Sequence, residues 1–175
     1  TLITLSAIKE LLQEKKIKNV LITAPLQVVK STWPSEIQKW SEFNNISYNL
    51  ITGDVTPHKR HLLAHNKADV TIVNFDMLKW LSDHKYTAWD MIVIDESSAF
   101  KSNKSERFRK LKKFSYEYLV ELSGTPTPKN YLDLWSQIYL LDQGESLGKS
   151  FSAFKIKYFD PEGYRGYNWV PKDSN

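Results

Sequence analysis

Residues 91–100, MIVIDESSAF, limit what this chain can fold into more than any other stretch. Met91, Ile92, Val93 and Ile94 are a continuous apolar, β-favouring run, the pattern of a central parallel strand buried on both faces. The run stops abruptly at Asp95 and Glu96, with Ser97 and Ser98 behind them. Open α/β sheets take their ligands at the carboxyl ends of their strands, so these two acids stand where chemistry is done. A carboxylate leaving water costs several kcal/mol unless it is paired or binds a cation, so the placement needs a reason.

One reason is a Walker B element, in which the Asp holds a Mg²⁺ shell and the Glu orients the water that attacks a nucleotide γ-phosphate. The plain alternative is an acidic turn that ends a strand. Composition narrows the field around these readings. A length of 175 residues suits one compact domain with a substantial core. The absence of cysteine excludes disulfides and thiolate metal sites. No apolar run approaches the ~20 residues of a membrane span, and no signal peptide precedes the first helical segment, so the expectation is an intracellular protein. A net charge of +4 permits a polyanionic partner without demanding one.

Residues 1–16 carry Leu2, Leu5, Ile8 and Leu12 at helical spacing, with no capping residue before them, as in a fragment that starts at a helix start. VLITAP (20–25) reads as a buried strand stopped by Pro25, and 26–43 as a helix with Trp33, Ile37 and Trp40 on one face. ISYNLIT (46–52) is a second strand, and 57–66 a helix placing His58, His61 and His65 within a ~60° arc. Those histidines suit either a metal or a solvated basic face, with Lys59 and Arg60 adjacent opposing the metal. ADVTIVNFDML (68–78) is a third strand running into a short helix, MIVIDE a fourth, and YEYLVELSGTPTP a fifth that ends in a tight Gly/Pro loop.

Between the last two strands, 100–114 holds seven Lys or Arg against Glu106 alone, which fits a solvated helix face or a phosphate-contacting patch. Residues 131–141 and 151–159 are helical, and the tail from Asp160 to Asn175 lacks periodicity and is expected to be irregular. Strands alternate with helices through most of the chain. The predicted fold is α/β, a three-layer α/β/α arrangement on about five mostly parallel strands.

Four ordered blocks then resemble a known family. VLITAPLQVVKSTWPSEIQKW resembles motif Ia of Swi/Snf-type helicase-like ATPases, ADVTIVNFDML their motif Ib region, DESS their DEAH-like motif II, and LSGTPTPKNYLDLWSQIYLL their motif III with its following helix. FKSNKS resembles the Lys-Asn continuation of motif II, and the wording DESS and TPTPKN looks closest to phage and prophage members.

The resemblance implies the first RecA-like lobe of a superfamily-two motor, a P-loop NTPase fold that uses ATP and Mg²⁺ and moves along nucleic acid, DNA more than RNA. It implies that Asp95 holds Mg²⁺ through water and that Glu96 is the general base or water-orienting group. It places Ser123, Gly124, Thr125 and Pro126 between the nucleotide site and nucleic acid, and Thr23, Ala24, Pro25 and Asn74 near the phosphate backbone. TLITLSAI looks like the text just after Gly-Lys of motif I, which makes Thr1 the Mg²⁺-ligating Thr of a truncated Walker A loop. The sequence holds no Gly-rich phosphate loop, no adenine-reading segment and no second lobe with its arginine finger, and DESS lacks the coupling histidine of the commoner motif II.

The expected organisation is therefore a lobe at 1–141 without its P-loop, and a C-terminal helix and irregular tail at 142–175 leading toward a missing second lobe. The expected parent is an ATP-dependent DNA helicase or translocase in the cytoplasm of a bacterial or phage-infected cell, with no membrane partner, and these residues alone are expected to be inactive. The alternative on the same fold is a non-catalytic nucleic-acid-binding or protein-interaction module. A metal-dependent nuclease finds no acid-x-Lys pattern on the following strand.

Overall fold

The computed structural model describes residues 1–66, 68–125, 130–162 and 168–172. Helix α1 (Leu2–Gln13) turns back into β1 (Val20–Ala24), and α2 (Leu26–Lys30) and α3 (Thr32–Lys39) lead to β2 (Tyr48–Ile51). Then come α4 (Pro57–His65), β3 (Val70–Asn74), α5 (Met77–Asp83), β4 (Met91–Asp95), α6 (Glu106–Leu111) and β5 (Tyr118–Leu122). Helices α7 (Leu134–Asp142) and α8 (Phe151–Tyr158) precede a ribbon of β6 (Phe159–Glu162) and β7 (Asn168–Pro171).

The five main strands are all parallel, in the order β2-β3-β1-β4-β5. Their side chains alternate between two cores, as the period of two in a strand requires. Val20, Ile22, Met91 and Val93 face α1 and α3, where Leu5, Ile8, Trp33 and Ile37 pack on them. Leu21, Ile92 and Ile94 face the other way, against Leu78, Leu81, Phe108, Leu111 and Trp135. This is the expected three-layer sheet, and the alternation assigns a face to every residue at a strand end.

Two local expectations change. The single helix over 26–43 is two short helices, because Pro34 has no N–H to give the carbonyl four residues back at Lys30, and the chain kinks at Ser31. The tail is not irregular throughout. Phe159–Glu162 pairs antiparallel with Asn168–Pro171, with Phe159 buried and the Lys155 ammonium 3.6 Å from the Trp169 ring centroid. A two-stranded ribbon needs little period-two patterning when one aromatic on each strand supplies its contacts.

Candidate active site

Because the strands are parallel, their carboxyl ends share one edge. Ala24 pairs with Asn74, Thr23 with Ile94, and Asp95 with Leu122, so the ends of β1, β3, β4 and β5 converge there. The last turn of α1, with Leu12 and Gln13, lines one cavity with Asp69 at the amino end of β3, so α1 runs against the strands with Thr1 toward their carboxyl ends. Thr1 is the N-cap of α1 and makes no side-chain capping bond.

Asp95 is half-buried at the end of β4, on the face shared with Met91 and Val93. That face carries Trp33, fully buried, whose indole N–H donates to Asp95 Oδ2 at 3.0 Å. The bond fixes the carboxylate and leaves Oδ1 without a partner among the described residues. Glu96 is exposed and sits in the left-handed region, φ 64° and ψ 57°, where a side chain costs about 1 kcal/mol. This backbone swings the chain off β4 into a 3-10 turn over Ser97–Phe100, closed by the Ala99 N–H donating to the Glu96 carbonyl at 3.0 Å. The Ser98 hydroxyl donates to Glu96 Oε1 at 2.7 Å. Strain held at one residue of a turn is common where a side chain must be aimed for function.

The residues expected near nucleic acid divide. Thr23, Ala24 and Asn74 are buried, and the Thr23 hydroxyl and Asn74 Oδ1 have no hydrogen-bond partner among the described residues. Pro25 is partly exposed, Gly124 and Thr125 are exposed, and Ser123 Oγ accepts from the Thr125 N–H at 3.1 Å. Pro126 lies outside the described residues. Unpaired buried polar atoms are uncommon, and these two lie at the strand edge where Asp95 also stands. The oxygens of Asp95, Glu96 and Thr1 are hard ligands of the type Mg²⁺ takes, so the residues present fit that ion.

Three contributors escape a reading of the sequence. Trp33 reads as one more apolar helix position, although an indole N–H that is buried needs an acceptor. Glu121 lies on β5 opposite Ile94, where burial pushes its carboxyl up to about 8 and one oxygen, Oε1, is shielded without a partner among the described residues. Gln137, on α7, is buried and accepts from the Ser97 hydroxyl at 3.1 Å.

In the histidine arc of α4, His58 and His65 are exposed, as a solvated face requires, while His61 is partly buried. His61 and His65 turn toward Tyr86, with His65 Nδ1 2.9 Å from its hydroxyl, and His61 packs on Trp80 and His84. No group of three or more His, Cys, Asp or Glu among the described residues is arranged for a metal ion. The basic stretch is divided in its pairing. Lys110 pairs with Asp83, Arg107 lies over Phe75 at 5.0 Å, and Lys112 lies over Tyr139 at 4.2 Å. Lys101, Lys104, Arg109 and Lys113 have no such partner among the described residues. A cavity of about 380 Å³ lined by Lys18, His65, Tyr86 and Asp90 lies at the opposite, amino edge, away from the acids.

The SNF2-related domain family matches residues 1–161. The chain belongs to that family. Protein p41 of Acyrthosiphon pisum secondary endosymbiont phage 1 is 36% identical over 179 residues, covering 97% of this chain and 39% of p41. The CHD3-type chromatin-remodeling factor CHR7 of Arabidopsis thaliana is 26% identical over 138 residues, covering 74% of this chain and 11% of that protein. The SWI2/SNF2 ATPase core of Sulfolobus solfataricus, solved in complex with dsDNA, superposes with a TM-score of 0.76 at 27% identity, over 89% of this chain and 31% of that one. This SNF2-related chain thus spans well under half the length of the relatives it matches, and its five-stranded sheet is that of a RecA-like lobe. No helix among the described residues is long and apolar enough to cross a membrane.

Proposed function

We propose that this chain is the first RecA-like lobe of an ATP-dependent DNA translocase or helicase, acting in the cytoplasm of a bacterial or phage-infected cell. The observation that carries the reading is the pairing of Asp95, oriented by Trp33, with Glu96, held forward by its left-handed backbone at the carboxyl edge. Family membership and the likeness to an ATPase core in complex with dsDNA support it.

Asp95 and Thr1 would hold Mg²⁺, which would supply charge neutralisation to the phosphates of ATP. The chain's own residues do the rest. Trp33 keeps one Asp95 oxygen committed and so presents the other to the ligand side. Glu96, exposed and with one oxygen held by Ser98, orients a water and accepts its proton. The loop carrying Ser123, Gly124, Thr125 and Pro126 joins this edge to the nucleic acid, with Pro25 and the neighbouring ends of β1 and β3 close to the phosphate backbone. A Walker A loop and a second RecA-like lobe complete the site, and residues 1–175 alone turn over no ATP, since they contain neither Gly-Lys-Thr nor an arginine finger.

The test is ATP hydrolysis by the full-length protein with and without duplex DNA. Stimulation by DNA that disappears in Glu96→Gln is the expected result, and a wild-type protein indifferent to DNA sinks the reading. Turnover by residues 1–175 that Glu96→Gln removes defeats the claim of inactivity. The unpaired cations Lys101, Lys104, Arg109 and Lys113 favour a second reading, a nucleic-acid-binding module without turnover, which predicts DNA binding and no hydrolysis.

A further inference from the structure

The cavity of about 380 Å³ at the amino edge of the sheet has no task in the proposed hydrolysis. Lys18 lies just before β1, Ala68 just before β3 and Asp90 just before β4, so the cavity sits at the opposite end of the strands from Asp95 and Glu96. Protein interiors are close-packed, and this space exists because Ala64, Ala68 and Ala88 stand where larger side chains would fill it. Its size is that of a small-molecule site, and its lining is the mixture such sites use, apolar and aromatic surface with a few polar groups.

Those polar groups divide into committed and free. The Trp89 indole N–H donates to the Tyr86 carbonyl at 3.3 Å, and the Tyr86 hydroxyl lies 2.9 Å from His65 Nδ1, so both aromatics offer the cavity their ring surface alone. Asp90 is half-buried, and its Oδ2 accepts from the backbone N–H groups of Lys18 at 2.6 Å and Asn19 at 3.1 Å. Its Oδ1 has no partner among the described residues. The same holds for the Lys18 ammonium and for the hydroxyl of Thr71, a cavity-lining residue only 6% exposed. A nearly buried hydroxyl and a half-buried carboxylate oxygen are costly unless something polar meets them.

The free groups select the ligand. A simple anion meets Asp90, a simple cation meets Lys18, and a hydrocarbon leaves all three groups unpaired. A lactam edge answers both charges together, because its ring N–H donates to a carboxylate while the adjacent carbonyl accepts from an ammonium. Guanine carries this edge on a flat two-ring system suited to aromatic walls, and its exocyclic amine adds a donor for the Thr71 oxygen. We infer that the cavity is a binding site for a small guanine-type heterocycle, with Asp90 taking the ring N–H, Lys18 the carbonyl, and Tyr86 and Trp89 the ring faces.

The experiment titrates the full-length protein with guanosine by calorimetry. Guanosine should bind, and 1-methylguanosine and adenosine, which both lack the ring N–H, should bind roughly tenfold more weakly or worse. Asp90→Asn keeps an oxygen for the two backbone N–H groups but turns the free acceptor into a donor, and should weaken guanosine by roughly tenfold or more. Ala64→Phe fills the cavity and should abolish binding. Melting curves show whether the two variants fold. The fluorine resonance of Trp89 in wild-type protein labelled with 5-fluorotryptophan should shift as guanosine binds, which locates the ligand without any substitution in the cavity. No binding of guanosine, equal binding of the three nucleosides, binding retained in folded Asp90→Asn and Ala64→Phe, or a Trp89 resonance that stays put overturns the site. A single-stranded dG oligonucleotide that moves the Trp89 resonance when guanosine does not overturns the small-molecule assignment in favour of an extruded base. None of these readouts requires hydrolysis, so failure of the ATPase reading leaves the test intact.

Discussion

The Trp33 indole N–H and Asp95 Oδ2 meet at 3.0 Å, although 62 positions separate them in the chain. Helix α3 supplies the donor and β4 the acceptor, and they meet because Asp95 falls on the same strand face as Met91 and Val93. One oxygen of the acid is thereby committed to the protein and the other is free for a ligand.

Replacing Trp33 by Phe keeps most of the packing and removes the donor. A buried hydrogen bond to a charged group is worth about 2 kcal/mol, so chemical denaturation should show a loss of that order. Hydrolysis by the full-length protein should need more Mg²⁺ to reach half its maximum, because Asp95 is no longer held. An unchanged Mg²⁺ dependence would remove Trp33 from the site.

Glu96 holds a left-handed backbone that glycine adopts freely. Glu96→Gly should therefore leave stability unchanged or raise it by up to about 1 kcal/mol while ending hydrolysis. Thermal unfolding and turnover measured on one preparation check both halves. A destabilised variant would mean that the bond from Ser98 outweighs the relief of strain.

Glu121 makes stability depend on pH. Its carboxyl rises from an ordinary 4.5 to about 8 in the folded chain, driven by burial and partly offset by Ser97. A raised value means the folded state holds the proton more tightly than the unfolded state does. The contribution is whole below pH 4.5, falls as pH climbs toward about 8, and is lost above it. The slope should approach ~1.4 kcal/mol per pH unit within that window. Tyr116, pushed up to about 12 chiefly by burial, stays neutral throughout the window. Denaturation midpoints of wild type and Glu121→Gln across pH 5–9 isolate the effect, and parallel curves would exclude it.

The basic stretch should separate by partner. Lys104→Glu and Lys113→Glu act on exposed, unpaired cations, so duplex affinity should weaken and each should flatten the salt dependence by about one charge. Lys110→Glu instead sets a like charge beside Asp83 and should lower the melting temperature as well. Fluorescence anisotropy over a salt series and a melting curve distinguish the two groups.

Alternation of strands and helices, the apolar run into Asp95-Glu96 and the order of four motif blocks were legible because each is a local pattern. Apolar periodicity reports which face of an element is buried, and a parallel sheet places all its strand ends on one edge whatever the details. The sequence by itself therefore determined the layered sheet and the edge where the acids stand. It missed the break at Ser31 and the β6–β7 ribbon, where one proline and a few aromatic contacts overrode the regional pattern. Only the tertiary structure decided which residue meets which. Trp33 with Asp95, and Ser97 with Gln137, join elements far apart in the chain, and the packing of α3 and α7 on the sheet selects them. The same packing pushes the Glu121 carboxyl up, because desolvation depends on what surrounds a carboxyl in space and not on its neighbours in sequence.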